Sequence, residues 1–76
     1  MVGSPADDLE TSERRRAVQA AIRDLPPDYR EVVVLRHFAG LSYDEIADAV
    51  GVPAKTVKSR LHTARERLLA SLEVLK

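Results

Sequence analysis

Lys55, Lys58, Ser59, His62, Thr63 and Arg65 lie close together near the end of a 76-residue chain, and all six carry groups that hydrogen-bond to nucleic acid. Lysine donates to the acceptor atoms of guanine, while serine, threonine and histidine can donate or accept. Their spacing gives them one side. No glycine or proline interrupts residues 54–75, so the segment reads as a single helix with about 100° between residues. Measured from Val57, the apolar Val57, Leu61, Ala64 and Leu68 fall in a sector of about 60°, and the six polar residues between about 80° and 240°. A helix with one dry edge and an opposite polar face fits a duplex major groove, which admits one helix. Lys55 and Thr56 stand in the first turn, where free N–H groups and the positive dipole end favour phosphate. The same residues would also suit a helical hairpin that packs on a partner and keeps a basic surface for solubility.

The residues just upstream supply what positions this helix. Ser42-Tyr43-Asp44-Glu45 has the spacing of a capping box, with serine at the N-cap and glutamate three residues on. The short helix it starts turns Ile46, Ala47 and Val50 inward. Gly51 permits a tight turn with positive φ, and Pro53 suits the first position of the next helix. A helix of about eight residues, a short turn with glycine and a longer basic helix make a helix-turn-helix plan. Ala47 is small where the two helices cross, and Ile46, Val50, Val52 and Val57 fill the wedge between them. One apolar position of the pattern falls on Arg60, with Leu61 beside it taking that role. Turn glycine, spacing and segregated charge together favour a DNA-binding element.

Two further helices are expected before it. Leu9 to Asp24 carries Val18, Ala21, Ile22 and Leu25 at the spacing of a buried stripe. Leu25-Pro26-Pro27 ends that helix and starts the next, which should cover Pro27 to Ala39. Its Val32–Leu35 run is β-like by propensity. Tyr29, Val32, Val33 and Phe38 nevertheless leave apolar groups on several sides, as in a helix buried by its neighbours. Gly40 terminates it. The fold class is therefore all-α: a small four-helix domain over residues 9–76 with a C-terminal helix-turn-helix, behind a flexible lead-in at 1–8. At the far end Leu68, Leu69, Leu72, Val74 and Leu75 exceed one stripe, so part of that tail is expected to be exposed.

Composition narrows the function. The chain is 45% hydrophobic and 32% charged with no cysteine, which suits a compact bundle and excludes thiolate zinc sites, disulfides and thiol catalysis. Its longest unbroken apolar run, Val32 to Leu35, is far below the roughly 20 residues of a membrane span. A soluble, cytoplasmic module is expected. The net charge of zero hides a polarity: six basic and ten acidic side chains up to Val52, then six basic and two acidic from Pro53, a net −4 against +4. A local cationic element of this kind attracts polyanions. Arg14-Arg15-Arg16 is flanked by Glu10 and Glu13 and reads as a solvated face. His37 and His62 lack a third metal ligand, Asp44 and Glu45 read as cap and surface acids, and the three glycines are scattered. Neither an enzyme nor a cofactor or metal is expected.

Three ordered blocks resemble one family. Leu25-Pro26-Pro27-Asp28-Tyr29-Arg30-Glu31-Val32-Val33, Gly40-Leu41-Ser42-Tyr43-Asp44-Glu45-Ile46-Ala47 and Thr56 to Leu68 are similar to segments of the C-terminal domain, region 4, of extracytoplasmic-function (ECF) sigma factors. The resemblance implies recognition of the −35 element of bacterial promoters, with the last helix in the major groove. It further implies RNA polymerase core as a partner, held through the β-subunit flap, and an anti-sigma protein as a regulator. Carried onto this chain, the base-facing positions are Lys58, Ser59, His62 and Thr63. Phosphate contacts fall on Lys55, Thr56, Arg60 and Arg65, with Arg36 and Ser42 more weakly placed. Such factors melt promoters with an upstream domain, so these residues alone are expected to anchor DNA rather than open it. The family often has glycine where Lys55 stands and arginine where Thr63 stands, so a base preference does not carry over. Two other readings remain: the DNA-binding domain of LuxR-type regulators, which usually lacks the double proline and has histidine where Arg60 stands, and a bundle that binds only protein.

Overall fold

The computed structural model describes the backbone of residues 5–73 and the side chains of 12–72. Four α-helices and no strand occur among them: α1 over Pro5–Arg23, α2 over Pro27–Val33, α3 over Tyr43–Val50 and α4 over Ala54–Glu73. The all-α expectation holds.

α1 starts at Pro5, four residues earlier than expected, with proline at the first helical position where its missing N–H is not needed. Residues 5–8 of the expected lead-in are therefore helical, and residues 1–4 lie outside the described residues. Of the expected α1 stripe, Ala21, Ile22 and Leu25 are buried, but Val18 is 37% exposed. The helix outruns the core, so a residue one turn further back keeps the right angle and lies outside the buried cluster.

Pro26 takes the N-cap of α2 with extended backbone and no side-chain cap, and Pro27 is its first residue. The valine run is helical despite its β propensity, because Val32 and Val33 bury fully against the neighbouring helices and tertiary burial outweighs propensity. The helix then widens into a π-helical turn over Val34–Phe38. The Ala39 N–H donates to the Val34 carbonyl at 3.1 Å and the Leu41 N–H to the Leu35 carbonyl at 3.0 Å. Gly40, at φ 72°, makes that reversal possible. Phe38 is 66% exposed, against expectation. Even at α-helical spacing it stands about 240° round the helix from Val32, so its apolar type misled where its angle did not.

The core joins Ile22, Leu25, Val32, Val33, Ile46, Val57, Leu61 and Ala64, with Tyr29, Leu35, Leu41, Ala47, Val50, Val52 and Leu68 packed around them. All four helices thus meet around the first three turns of α4. Beyond those turns Leu69 is 58% exposed and Leu72 half-buried. Val74 and Leu75, also expected in the tail, lie outside the described residues.

Candidate nucleic-acid interface

α3 is fixed at both ends. The Ser42 hydroxyl accepts from the Glu45 N–H at 3.1 Å, and the Glu45 carboxylate accepts from the Ser42 N–H at 2.8 Å, which closes the capping box reciprocally. The Ser42 backbone N–H, with the Ser42 side chain second, holds the Glu45 carboxyl below its ordinary value. At the other end Gly51 adopts φ 80°, and the N–H groups of Gly51 and Val52 both donate to the Ala47 carbonyl, at 2.8 and 3.2 Å. The expected helix-turn-helix core is assembled: Ile46, Val57 and Leu61 are buried, and Ala47, Val50 and Val52 are half-buried against them. Pro53 stands one residue ahead of its expected place. Its carbonyl accepts from the N–H groups of Thr56 and Val57, so it caps α4 and Ala54 opens it.

α4 presents the two faces that the spacing predicts. Val57 and Ala64 are fully buried and Leu61 nearly so. Lys55, Lys58, Ser59, His62 and Arg65 are exposed, while Thr56, Arg60 and Thr63 are half-buried at the edges. Arg60 occupies the position where the helix-turn-helix pattern has an apolar residue, and its partial burial follows from that.

The structure gathers some of the expected residues and leaves others apart. Lys55 and Lys58 share one open hollow with Arg36, Ser42, Tyr43 and Asp44. Arg36 also borders the neighbouring hollow, with Arg65, His37 and Leu61. Arg36 therefore links the end of α2 to both ends of the basic face. Its guanidinium donates to the Leu41 carbonyl at 2.9 Å and lies 4.9 Å from the centre of the Tyr43 ring, a cation–π distance. The wide turn over Val34–Phe38 is what carries Arg36 to this place. Ser59, His62, Thr63, Thr56 and Arg60 line neither hollow.

Two participants escaped the sequence. Tyr43, 38% exposed, serves as the platform under Arg36, and only the unpredicted wide turn brings the two together. Glu66 Oε1 lies 3.0 Å from His62 Nε2, with both side chains about seventy per cent exposed. Its position about 180° from Val57 places it in the middle of the outward face, a signal that counting cations overlooked. Among the described residues no three His, Cys, Asp or Glu side chains gather as a metal site. No described helix is long and apolar enough to cross a membrane.

A short capped helix, a left-handed glycine turn and a longer helix with an open polar face define a helix-turn-helix domain. The family model described as sigma-70, region 4, matches residues 15–68, and the chain belongs to that family. It is 36% identical over 74 residues to the ECF RNA polymerase sigma-E factor of Haemophilus influenzae, covering 97% of this chain and 39% of that protein. It is 49% identical over 51 residues to the ECF RNA polymerase sigma factor SigE of Mycolicibacterium smegmatis, covering 67% of this chain and 20% of the relative. A third relative, the RNA polymerase sigma-E factor of Streptomyces antibioticus, is 45% identical over 67 residues, covering 88% and 37%. These matches decide for the sigma family over the LuxR type. The chain spans about two fifths or less of the length of these curated relatives.

Proposed function

We propose that this domain recognises the −35 promoter element in transcription initiation, laying the outer face of α4 in the major groove and helping to tether RNA polymerase core. One observation carries the reading: the polar face of α4 is open while its opposite edge, Val57, Leu61 and Ala64, is locked in the core. A helix so backed keeps its side chains in register on a rigid duplex, and the groove has room for it. In this reading Lys58, Ser59, His62 and Thr63 read base edges. Lys55, Thr56, Arg60, Arg65, Arg36 and Ser42 hold phosphates and set the register. Family membership and the names of the relatives support the polymerase partner. The β-subunit flap and an anti-sigma protein are the specific contacts it implies.

The test separates the two kinds of contact. Lys55→Ala should weaken binding on every duplex and lower the slope of log affinity against log salt by about 1. Ser59→Ala should instead change which bases are preferred, by about 1–3 kcal/mol where a direct contact is lost. Binding by the parent chain that ignores salt, or equal weakening on all sequences for Ser59→Ala, would count against the assignment.

A further inference from the structure

Arg36 and Tyr43 each line both hollows beside α4, so together they form the wall between them. Lys55 and Lys58 stand on one side of that wall, His37 and Arg65 on the other. The guanidinium of Arg36 is held in two ways. One N–H on Nη1 donates to the Leu41 carbonyl at 2.9 Å, and the central carbon lies 4.9 Å from the centre of the Tyr43 ring. Both side chains are exposed, so these restraints do not serve to bury a charge.

What the restraints leave open is the binding edge. A guanidinium is a planar fork of several N–H donors, and a ring against its face uses none of them. The Leu41 carbonyl takes one, and the fork has further donors whose geometry matches two oxygens of a phosphodiester. An unrestrained arginine on a surface must be ordered when it binds, which removes part of its attraction. Here the Leu41 carbonyl and the Tyr43 ring order it when the chain folds. Asp44 lines the same hollow as Lys55 and Lys58. A guanidinium released from the ring therefore has a carboxylate nearby that competes with any phosphate.

We infer that Tyr43 is the positioning residue for Arg36: its ring holds the guanidinium towards a phosphate of the duplex, and it acts through Arg36 rather than by touching the duplex itself. The inference rests on the promoter-reading role of α4 and adds to it a neutral residue that the count of cations does not mark. Duplex phosphate is the occupant because Arg36 stands between Lys55 and Lys58 at the start of α4 and Arg65 further along it. The π-helical turn over Val34–Phe38 gains a use, since such irregular turns recur at functional sites and this one brings Arg36 to Tyr43.

The experiment measures affinity against salt concentration for the parent chain, R36A, R36K, Y43L, Y43F and R36A/Y43L, on a duplex selected from a random pool and on an unselected one. R36A should weaken binding to both and lower the slope of log affinity against log salt by about 0.9. Y43L should weaken both by about two- to tenfold, the factor for ordering one long side chain on binding. It should keep the parent slope, because the charge is still there. R36K should resemble Y43L, since lysine keeps the charge without the fork. Y43F, which retains the ring, should restore the affinity that Y43L loses. In the R36A background Y43L should change nothing further. Additional weakening there would mark Tyr43 as a structural or direct contact, and a loss in Y43F would mark its hydroxyl as the binding group; either result overturns the inference. Thermal unfolding of each variant separates loss of folded chain from loss of contact, and R36K with Y43F keeps the comparison readable should R36A unfold. In proton spectra of the unbound chain, the Arg36 side chain should show the ring-current shift of an aromatic neighbour in the parent and Y43F and lose it in Y43L. Parent affinity and slope in R36A overturn the inference and leave the groove reading of α4 standing. A parent chain without salt-dependent duplex binding overturns both.

Discussion

α1 and α4 are the two long helices, 19 and 20 residues, and they are held in opposite ways. Among the described side chains, α1 reaches the core through its final turns, with Ala21 and Ile22 buried, followed by Leu25 in the turn after it. α4 is held from its start, by Val57, Leu61 and Ala64, and is released towards its end. Both carry clustered basic residues on their exposed sides. Arg14, Arg15 and Arg16 lie on the free part of α1, beside the exposed Glu13. Lys55 and Lys58 lie on the held part of α4 and share a hollow with Arg36. A basic cluster is better suited to bind a polyanion where the backbone beneath it is fixed, because a charge that must be ordered on binding loses part of its attraction to side-chain and backbone entropy.

The largest test of this difference is a pair of core truncations. Ile46 lies in α3 directly under α4 and is fully buried, while Ile22 in α1 is 8% exposed. Truncating a buried isoleucine to alanine costs about 2–5 kcal/mol, depending on how well the site collapses. Ile46→Ala belongs at the upper end and Ile22→Ala at the lower, since the end of α1 can shift onto the gap. A domain of this size has a total stability on the order of 3–5 kcal/mol. Ile46→Ala should therefore leave the chain largely unfolded at room temperature, and Ile22→Ala should leave it folded with a lowered midpoint. Denaturant titration followed by circular dichroism reads both, and equal losses would erase the distinction between the helices.

A smaller effect is expected at the turn that aims α4. Gly51 stands at φ +80°, and a Cβ added there would meet nothing within 4 Å. The cost of Gly51→Ala is then that of left-handed backbone alone, about 1–2 kcal/mol. Gly51→Asn should cost less, because asparagine enters this region more readily. Thermal unfolding of the two variants gives the order. If alanine were as well tolerated as asparagine, the turn would not depend on left-handed geometry.

The same contrast explains how much could be read from sequence. The α3–α4 half was legible because its signals are local and mutually consistent: the capping box of Ser42 and Glu45, Gly51 at the turn, and one apolar stripe from Val57 to Leu68. Each fixes a neighbour within four residues, and the structure contains them all. The first half depended on distant packing. Val18 keeps its stripe angle but stands outside the buried core, 37% exposed, and Pro5 rather than Leu9 starts α1. The wide turn at Val34–Phe38 has no composition of its own. It is closed by Gly40 and by the Arg36 bond to the Leu41 carbonyl, a contact visible only after folding. Of the interface, the faces of α4 were legible from periodicity. The assembly of Lys55, Lys58, Arg36 and Ser42 around one hollow was not, because it joins three helices.

The smallest effect sharpens the comparison at the helix starts. α2 has Pro26 at its N-cap with no side-chain cap, whereas α3 begins with the reciprocal Ser42–Glu45 pair. Ser42→Ala should cost about 1 kcal/mol, and the part that depends on Glu45 should depend on pH. In the folded state the Ser42 N–H favours the ionised carboxyl, so its pKa lies below the ordinary 4.5. A group depressed on folding contributes stability above its unfolded value, and that contribution disappears as pH falls through the lower folded value. The parent chain should therefore lose more stability than Glu45→Gln between pH 6 and about pH 3, with the difference between the two closing at the acid end. Because α2 has no such pair, acid should loosen the start of α3 first. Amide exchange at Glu45, whose N–H the Ser42 hydroxyl accepts, should quicken before exchange at Arg30, whose N–H donates to the Pro26 carbonyl at 3.0 Å. Parallel stability curves for parent and Glu45→Gln would show that the cap holds α3 by geometry alone.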